Sequence, residues 1–176
     1  MNIKRYFLMA AALMSLAVFT SCSKEGLGFF RGSYGFVTSG SVECVGEYDL
    51  PVIECPLLRE SGTLRIEPKG NSAVLTMSSV LGDALVFDAV IEGTEITLKP
   101  VKRIITMEVQ EDVVDKIKTI PVTMSGKGYK TNGLMVLDII YTSDDFDVNM
   151  TDGLSVVAYK YRISGSNVSC VANFRE

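Results

Sequence analysis

Short runs rich in β-branched and aromatic residues, each closed by a glycine-bearing turn, dominate this chain from residue 33 onward. "SYGFVTS" and "SVECVGEY" are split by Gly40, and "GTLRIEP" and "SAVLTMS" by Lys69-Gly70-Asn71. Gly93-Thr94 separates "ALVFDAVI" from "EITLKPV", and Thr131-Asn132-Gly133 separates "IPVTMSGKGYK" from "LMVLDIIY". Gly165-Ser166-Asn167 separates "SVVAYKYRI" from "NVSCVANF". Runs of this kind pack well on a pleated surface, and Gly or Asn supplies the left-handed backbone that a tight hairpin requires. Five hairpins and about ten strands are predicted.

Period-two patterning supports strands over helices. Val168, Cys170, Ala172 and Phe174 share one face of the last run, with Ser169, Val171 and Asn173 on the other, as in a half-buried strand. Both faces of "LMVLDIIY" are apolar, which suits a strand covered on both sides. "MEVQEDVVDKIK", residues 107–118, departs from the pattern. Val109, Val113 and Ile117 at four-residue spacing admit a short helix, and a strand ending near Gln110 followed by a polar loop is the preferred alternative. Consecutive hairpins over such a length close into an antiparallel barrel or stack as a sandwich. Closure removes the unpaired edges that invite aggregation. The expected fold class is all-β, an antiparallel up-and-down barrel of about 8–10 strands.

The first residues carry a different pattern. Lys4 and Arg5 precede an almost wholly apolar run from Tyr6 to Phe19, and small residues Thr20 and Ser21 lead to Cys22. A positive start, an apolar stretch and a small-residue exit describe a secretory signal peptide. About fourteen residues are too few for the roughly 20 that span a bilayer core. Phe19-Thr20-Ser21-Cys22 resembles a bacterial lipobox, which implies acylation of the Cys22 thiol, cleavage before it and acylation of the new amine. Two or more acyl chains give stable anchoring. The alternative is an ordinary signal peptide with an incidental cysteine. Ser23 resembles outer-membrane sorting signals, and Lys24-Glu25 resembles the surface-export signals of Bacteroidetes lipoproteins. The expected organisation is a lipoprotein signal peptide over 1–21, a flexible tether over 22–29 from a lipidated Cys22, and a single β-barrel domain over 30–176. The expected location is the outer membrane of a bacterial cell envelope, lipid-anchored on the periplasmic side or at the cell surface.

Composition excludes some classes. Without Lys4 and Arg5 the 17 basic side chains fall to 15 against 21 acidic ones, a formal charge near −6. Phosphate backbones reward clustered Lys and Arg, so a nucleic-acid partner is not expected. With no histidine in the chain, Ser-His-Asp and Cys-His arrangements cannot form. No glycine-rich phosphate loop precedes a helix. The expectation is a non-enzymatic protein with no cofactor and no metal.

Cysteine and carboxylate patterns leave choices open. Cys44 and Cys55 flank ten residues and are a candidate disulfide in an oxidising compartment, with Cys44–Cys170 as its competitor. Asp145, Asp147 and Asn149 alternate in "SDDFDVNMTDG", which on a strand aims three oxygen-bearing groups to one side. Calcium favours such donors, but Met150 and Val156 stand where the calcium-loop motif needs Gly and Glu. A solvated strand face with Phe146, Val148 and Met150 turned inward accounts for the same residues. Glu43, Glu47 and Asp49 form another acidic face, and six tyrosines (34, 48, 129, 141, 159 and 161) could line a pocket or serve as core and rim.

"FFRGSYGF", "GTLRIEPKGNSAVLTM" and "IPVTMSGKGYKTNGLMVLDIIY" together resemble the secreted Bacteroidetes lipoproteins with a calycin-like, or lipocalin-like, β-barrel domain. The resemblance covers roughly residues 30–142. It rests on the opening Gly32-Ser33-Tyr34 and the late turn Ser125-Gly126-Lys127-Gly128. It implies a barrel, hints at a ligand and implies no established activity. The first functional expectation is a binder of a small apolar or amphipathic ligand, in a cavity lined by Met77, Phe87, Leu137 and Ile139. The alternative is a structural or protein-interaction module, adhesion-like, with a filled barrel. Its membrane contact would run through the N-terminal lipid, and no protein partner is legible.

Overall fold

The computed structural model describes residues 26–112 and 114–175. One helical turn, α1 (Leu27–Phe30), is followed by ten antiparallel strands: β1 (Gly32–Gly46), β2 (Ile53–Pro56), β3 (Ser61–Lys69), β4 (Ser72–Ser79), β5 (Leu85–Glu92), β6 (Glu95–Glu111), β7 (Val114–Thr131), β8 (Leu134–Ser143), β9 (Phe146–Asp152) and β10 (Ser155–Arg175). Neighbours in sequence pair through β3 to β8, β8 pairs with the last part of β10, and β10 returns to β1. Eight strands thus close a hydrogen-bonded, up-and-down ring. β2 lies on β1 beyond the ring, at Ser41–Cys44, and β9 lies on the first part of β10.

Three of the five expected turns reverse the chain as read. Gly70, Gly93, and the pair Asn132 and Gly133 all adopt left-handed backbone, with φ of 61°, 59°, 48° and 78°. Two do not. β1 runs straight through Gly40, where φ is 137° and the Asn167 backbone crosses too closely for any Cβ. β10 likewise runs through Gly165, with a bulge opposite Glu43 and Cys44 absorbing the irregularity. The two missing reversals occur elsewhere. β6 and β7 form a long ribbon in which Glu111 faces Val114 and Asp112 is left-handed (φ 55°). β9 and β10 form another, turning at Gly153 and Leu154. Residues 107–118 are therefore neither a helix nor a strand with a trailing loop.

Inward side chains fill the ring. Tyr34, Phe36, Leu64, Leu75, Phe87 and Leu137 are buried, and each such apolar side chain contributes roughly 1.5–3 kcal/mol. The core continues beyond the ring as one column, with Val42, Cys44 and Cys55 on one side and Met107, Val109 and Val148 on the other. An isolated bridge from Leu57 to Met107 ties the two sides together.

The turn-bearing end carries α1. Phe30 is fully buried, Leu27 and Phe29 pack on the core, and the Gly26 N–H donates to the Gly93 carbonyl. Residues 26–29 are thus docked rather than part of a tether, because the apolar side chains have a closed ring end to cover. Lys130 fastens them. Its Nζ donates to the Phe29 carbonyl at 2.6 Å and the Tyr34 hydroxyl at 3.0 Å, and it lies about 5 Å from the rings of Phe29, Tyr34 and Phe174.

Candidate functional site

The ring has one interrupted seam. The β5–β6 ladder pairs Glu92 with Glu95 through Ala89 with Leu98 and then stops. Lys99 and Pro100 follow, and the register of β6 against β7 shifts between Leu98 and Val101. Proline has no N–H to donate, and it is tolerated in strands chiefly at edges and bulges. The bulge reverses which positions face inward. Ile96 and Leu98 are buried before it, and Ile105, Met107 and Val109 after it. β6 then continues with β7, leaving Leu85–Asp88 paired with β4 alone.

A cleft of about 510 Å³ opens at this seam. Its apolar walls are Leu57, Leu58, Met77, Leu81, Leu85 and Ile104. Leu58, Leu81 and Ile104 are each about 60 % exposed, so the mouth has an apolar rim. Deeper in, Arg103 Nη2 lies 2.7 Å from Glu60 Oε1, with both side chains about 15 % exposed. Arg103 Nη1 also points at Met124 Sδ at 3.8 Å. Burial pushes the Tyr141 hydroxyl up to about 12, against a smaller downward pull from Arg103 beside it. Lys102, Asp83, Ser79 and Thr106 complete the polar lining of the cleft. Glu60 is held by its backbone: its N–H donates to Thr38 Oγ1 at 3.0 Å, and its carbonyl accepts from the Thr38 N–H at 2.8 Å. A cleft with apolar walls and a fixed guanidinium suits a ligand with an apolar body and an acceptor group.

Of the four residues expected to line a cavity, only Met77 does so. Phe87, Leu137 and Ile139 are buried in the core and do not reach the cleft, because large inward side chains occupy the ring's axis. The expected axial cavity is corrected to a cleft in the wall. Cys44 and Cys55 come together: both are buried, with Sγ atoms 3.6 Å apart and both thiols free. The thiol–thiol hydrogen bond and burial together push Cys44 up. Cys170 is buried on β10 opposite Thr38, and burial pushes its thiol up to about 12. Cys22 and residues 1–25 lie outside the described residues.

The other candidates separate. Val148 is buried while Asp147 and Asn149 are exposed, as the solvated-face reading expects. Asp147 pairs with Lys160 at 2.6 Å. Among the described residues no group of three or more His, Cys, Asp or Glu side chains could hold a metal ion. Tyr34, Tyr141 and Tyr161 are buried, whereas Tyr48 and Tyr129 are exposed on the outside, so the tyrosines line no common pocket. Glu43, Glu47 and Asp49 are exposed.

No family model matches the chain, and no curated protein or solved structure matches it.

Proposed function

We propose that this protein is an envelope-anchored lipoprotein, tethered through an acylated Cys22. Its calycin-like β-barrel acts as a non-enzymatic binder of a small amphipathic ligand, with the β5–β6 cleft as the site. One observation carries the reading: a cleft of about 510 Å³ whose apolar walls lead to the Arg103–Glu60 pair. That volume falls within the few hundred to about 1,000 Å³ typical of ligand pockets, which combine apolar walls with a few polar groups. The apolar body would lie along Leu57, Leu81 and Leu85, with its acceptor group toward Arg103 and Lys102. A second reading, an interaction module of the outer membrane, is favoured by the filled ring and by the exposed Leu58, Leu81 and Ile104 at the mouth.

Titration with an anionic apolar fluorophore such as anilinonaphthalene sulfonate, competed by a medium-chain fatty acid, tests the site. Leu85→Arg, which fills the cleft, is expected to weaken probe binding roughly tenfold or more, while Val171→Arg on the outer face leaves it unchanged. Equal binding by both variants refutes the cleft as the site. Mass spectrometry of protein released gently from membranes then asks what co-purifies. Labelled palmitate should enter the wild-type chain and not Cys22→Ala, and label in neither or in both refutes the anchor.

A further inference from the structure

We infer that Cys44 and Cys55 are an oxidisable dithiol whose disulfide clamps the wall of the cleft, with Cys170 excluded from the bridge. The inference bears on function only through the reading of that cleft as a binding site. Cys44 faces Ile53 and Cys55 faces Val42, so the two cysteines are diagonal neighbours on one face of the β1–β2 ladder. Their sulfurs are 3.6 Å apart, and a closing movement of about 1.5 Å reaches bonding distance. Cys170 lies opposite Thr38, six residues before Cys44 on the same strand. A strand rises about 3.3 Å per residue, so that offset is about 20 Å and no side chain spans it.

The pair sits where it can govern the cleft. β2 ends at Pro56, and the next residues are Leu57, Leu58 and Glu60, all of which line the site. The Leu57 N–H donates to the Gly40 carbonyl, and the Glu60 N–H donates to Thr38 Oγ1. This wall is therefore held to β1 by the same four-residue strand that carries Cys55. Among the described strands β2 ladders with β1 alone, and the Leu57–Met107 bridge ties its end to β6, so a local opening that breaks this bridge lifts β2 and exposes both thiols. One thiolate then attacks a small disulfide oxidant and displaces one thiol, and the second cysteine displaces the other. The protein loses two protons and two electrons, the oxidant is reduced to two thiols, and the new Sγ–Sγ bond holds β2 in place.

Oxidised glutathione applied to the reduced full chain, followed by alkylation and tryptic digestion, tests the pairing. Residues 32–59 carry both Cys44 and Cys55 on one tryptic peptide, and residues 163–175 carry Cys170 on another. The expected product is an unalkylated 32–59 peptide lighter by two hydrogens, beside an alkylated 163–175 peptide. A cross-link between the two peptides, or two alkylated cysteines in 32–59 after prolonged oxidation, overturns the inference. Amide exchange at Leu57 and Glu60 should then slow roughly tenfold in the oxidised chain. Cys170→Ser should keep that difference, and the double variant Cys44→Ser/Cys55→Ser should lose it. Equal exchange in both redox states of the wild-type chain overturns the clamp. These readouts need no ligand, so failure of the fluorophore to bind in either state counts against the binding reading alone.

Discussion

Replacing Arg103 with methionine leaves Glu60 as an unpaired charge that is only about 15 % exposed. Removing one partner of a buried ion pair costs about 3–5 kcal/mol, because the remaining charge has lost its compensation. Some water reaches this pair through the cleft, so the low end, about 3 kcal/mol, applies. For a chain of this size each kcal/mol lowers Tm by about 2–4 °C, which gives a fall of about 6–12 °C. Glu60→Leu should cost less, about 1–2 kcal/mol, since the guanidinium can turn outward to water. The double variant Arg103→Met/Glu60→Leu removes both charges and is expected within about 1 kcal/mol of wild type. Urea unfolding followed by circular dichroism on all four proteins closes the cycle and gives the coupling energy directly. Two results would refute the reasoning: a cost below about 1 kcal/mol for Arg103→Met, or a double variant as unstable as the sum of the singles.

Acid should loosen the free edge of β9. The Asn149 and Thr151 N–H groups donate to Glu111 and Asp112, and Lys118 bonds both Glu111 and the Asp147 carbonyl. Burial works to raise the Glu111 carboxyl, but the Asn149 N–H and the Lys118 ammonium outweigh it and hold it below its usual range. The Thr151 hydroxyl and N–H lower Asp112. With folded pKa values below unfolded ones, this stabilisation is full above the ordinary carboxylate range and is lost as pH falls through the depressed values. Urea midpoints at about pH 7 and about pH 3 should therefore converge in the variant Glu111→Gln/Asp112→Asn, and an unchanged pH dependence counts against the account. Gly40→Ala should cost at least about 2 kcal/mol, because its Cβ would press into the Asn167 carbonyl oxygen. Gly82→Ala, with open space around it, should change stability by less than about 0.5 kcal/mol, and equal effects at the two sites would be inconsistent with the packing. Lys130→Met should lower stability by about 2 kcal/mol through loss of two hydrogen bonds and three ring contacts, read as a fall in Tm of about 4–8 °C.

The all-β class and three of the turns were legible because period-two patterning and left-handed turn residues are local signals. Gly40 and Gly165 misled because a glycine inside a strand can mark a close backbone crossing as well as a reversal. The period-two phase itself held the answer at Gly40: Tyr34, Phe36 and Thr38 share their inward parity with Val42 and Cys44 across it. The β6–β7 turn was hidden because Glu111 and Asp112 bring no glycine. Its neighbours Val109 and Ile117 also mimic a helical stripe, although Val109 points into the core and Ile117 out to water. At the site, Met77 was among the four residues expected to line a cavity, and it lies with Ala73 and Leu75 on the inward face of β4. Arg103 and Glu60 were missed because they are 43 residues apart, and only the folded seam joins them. Pro100 inside a β-patterned run was the available clue to a broken ladder.

The hydrogen bond from Gly26 to Gly93 sets an orientation. It pins Gly26 beside the turns at 69–71, 93–94 and 131–133, whereas the cleft begins at the opposite rim, where β4 passes into β5. Three residues lie between Cys22 and Gly26, so the four Cα-to-Cα steps reach at most about 14 Å. A lipid on Cys22 would hold those three turns against the bilayer and point the leucine-rimmed mouth away from it. Whatever enters would come from the aqueous side, so a lipidic guest would have to leave the membrane to be captured.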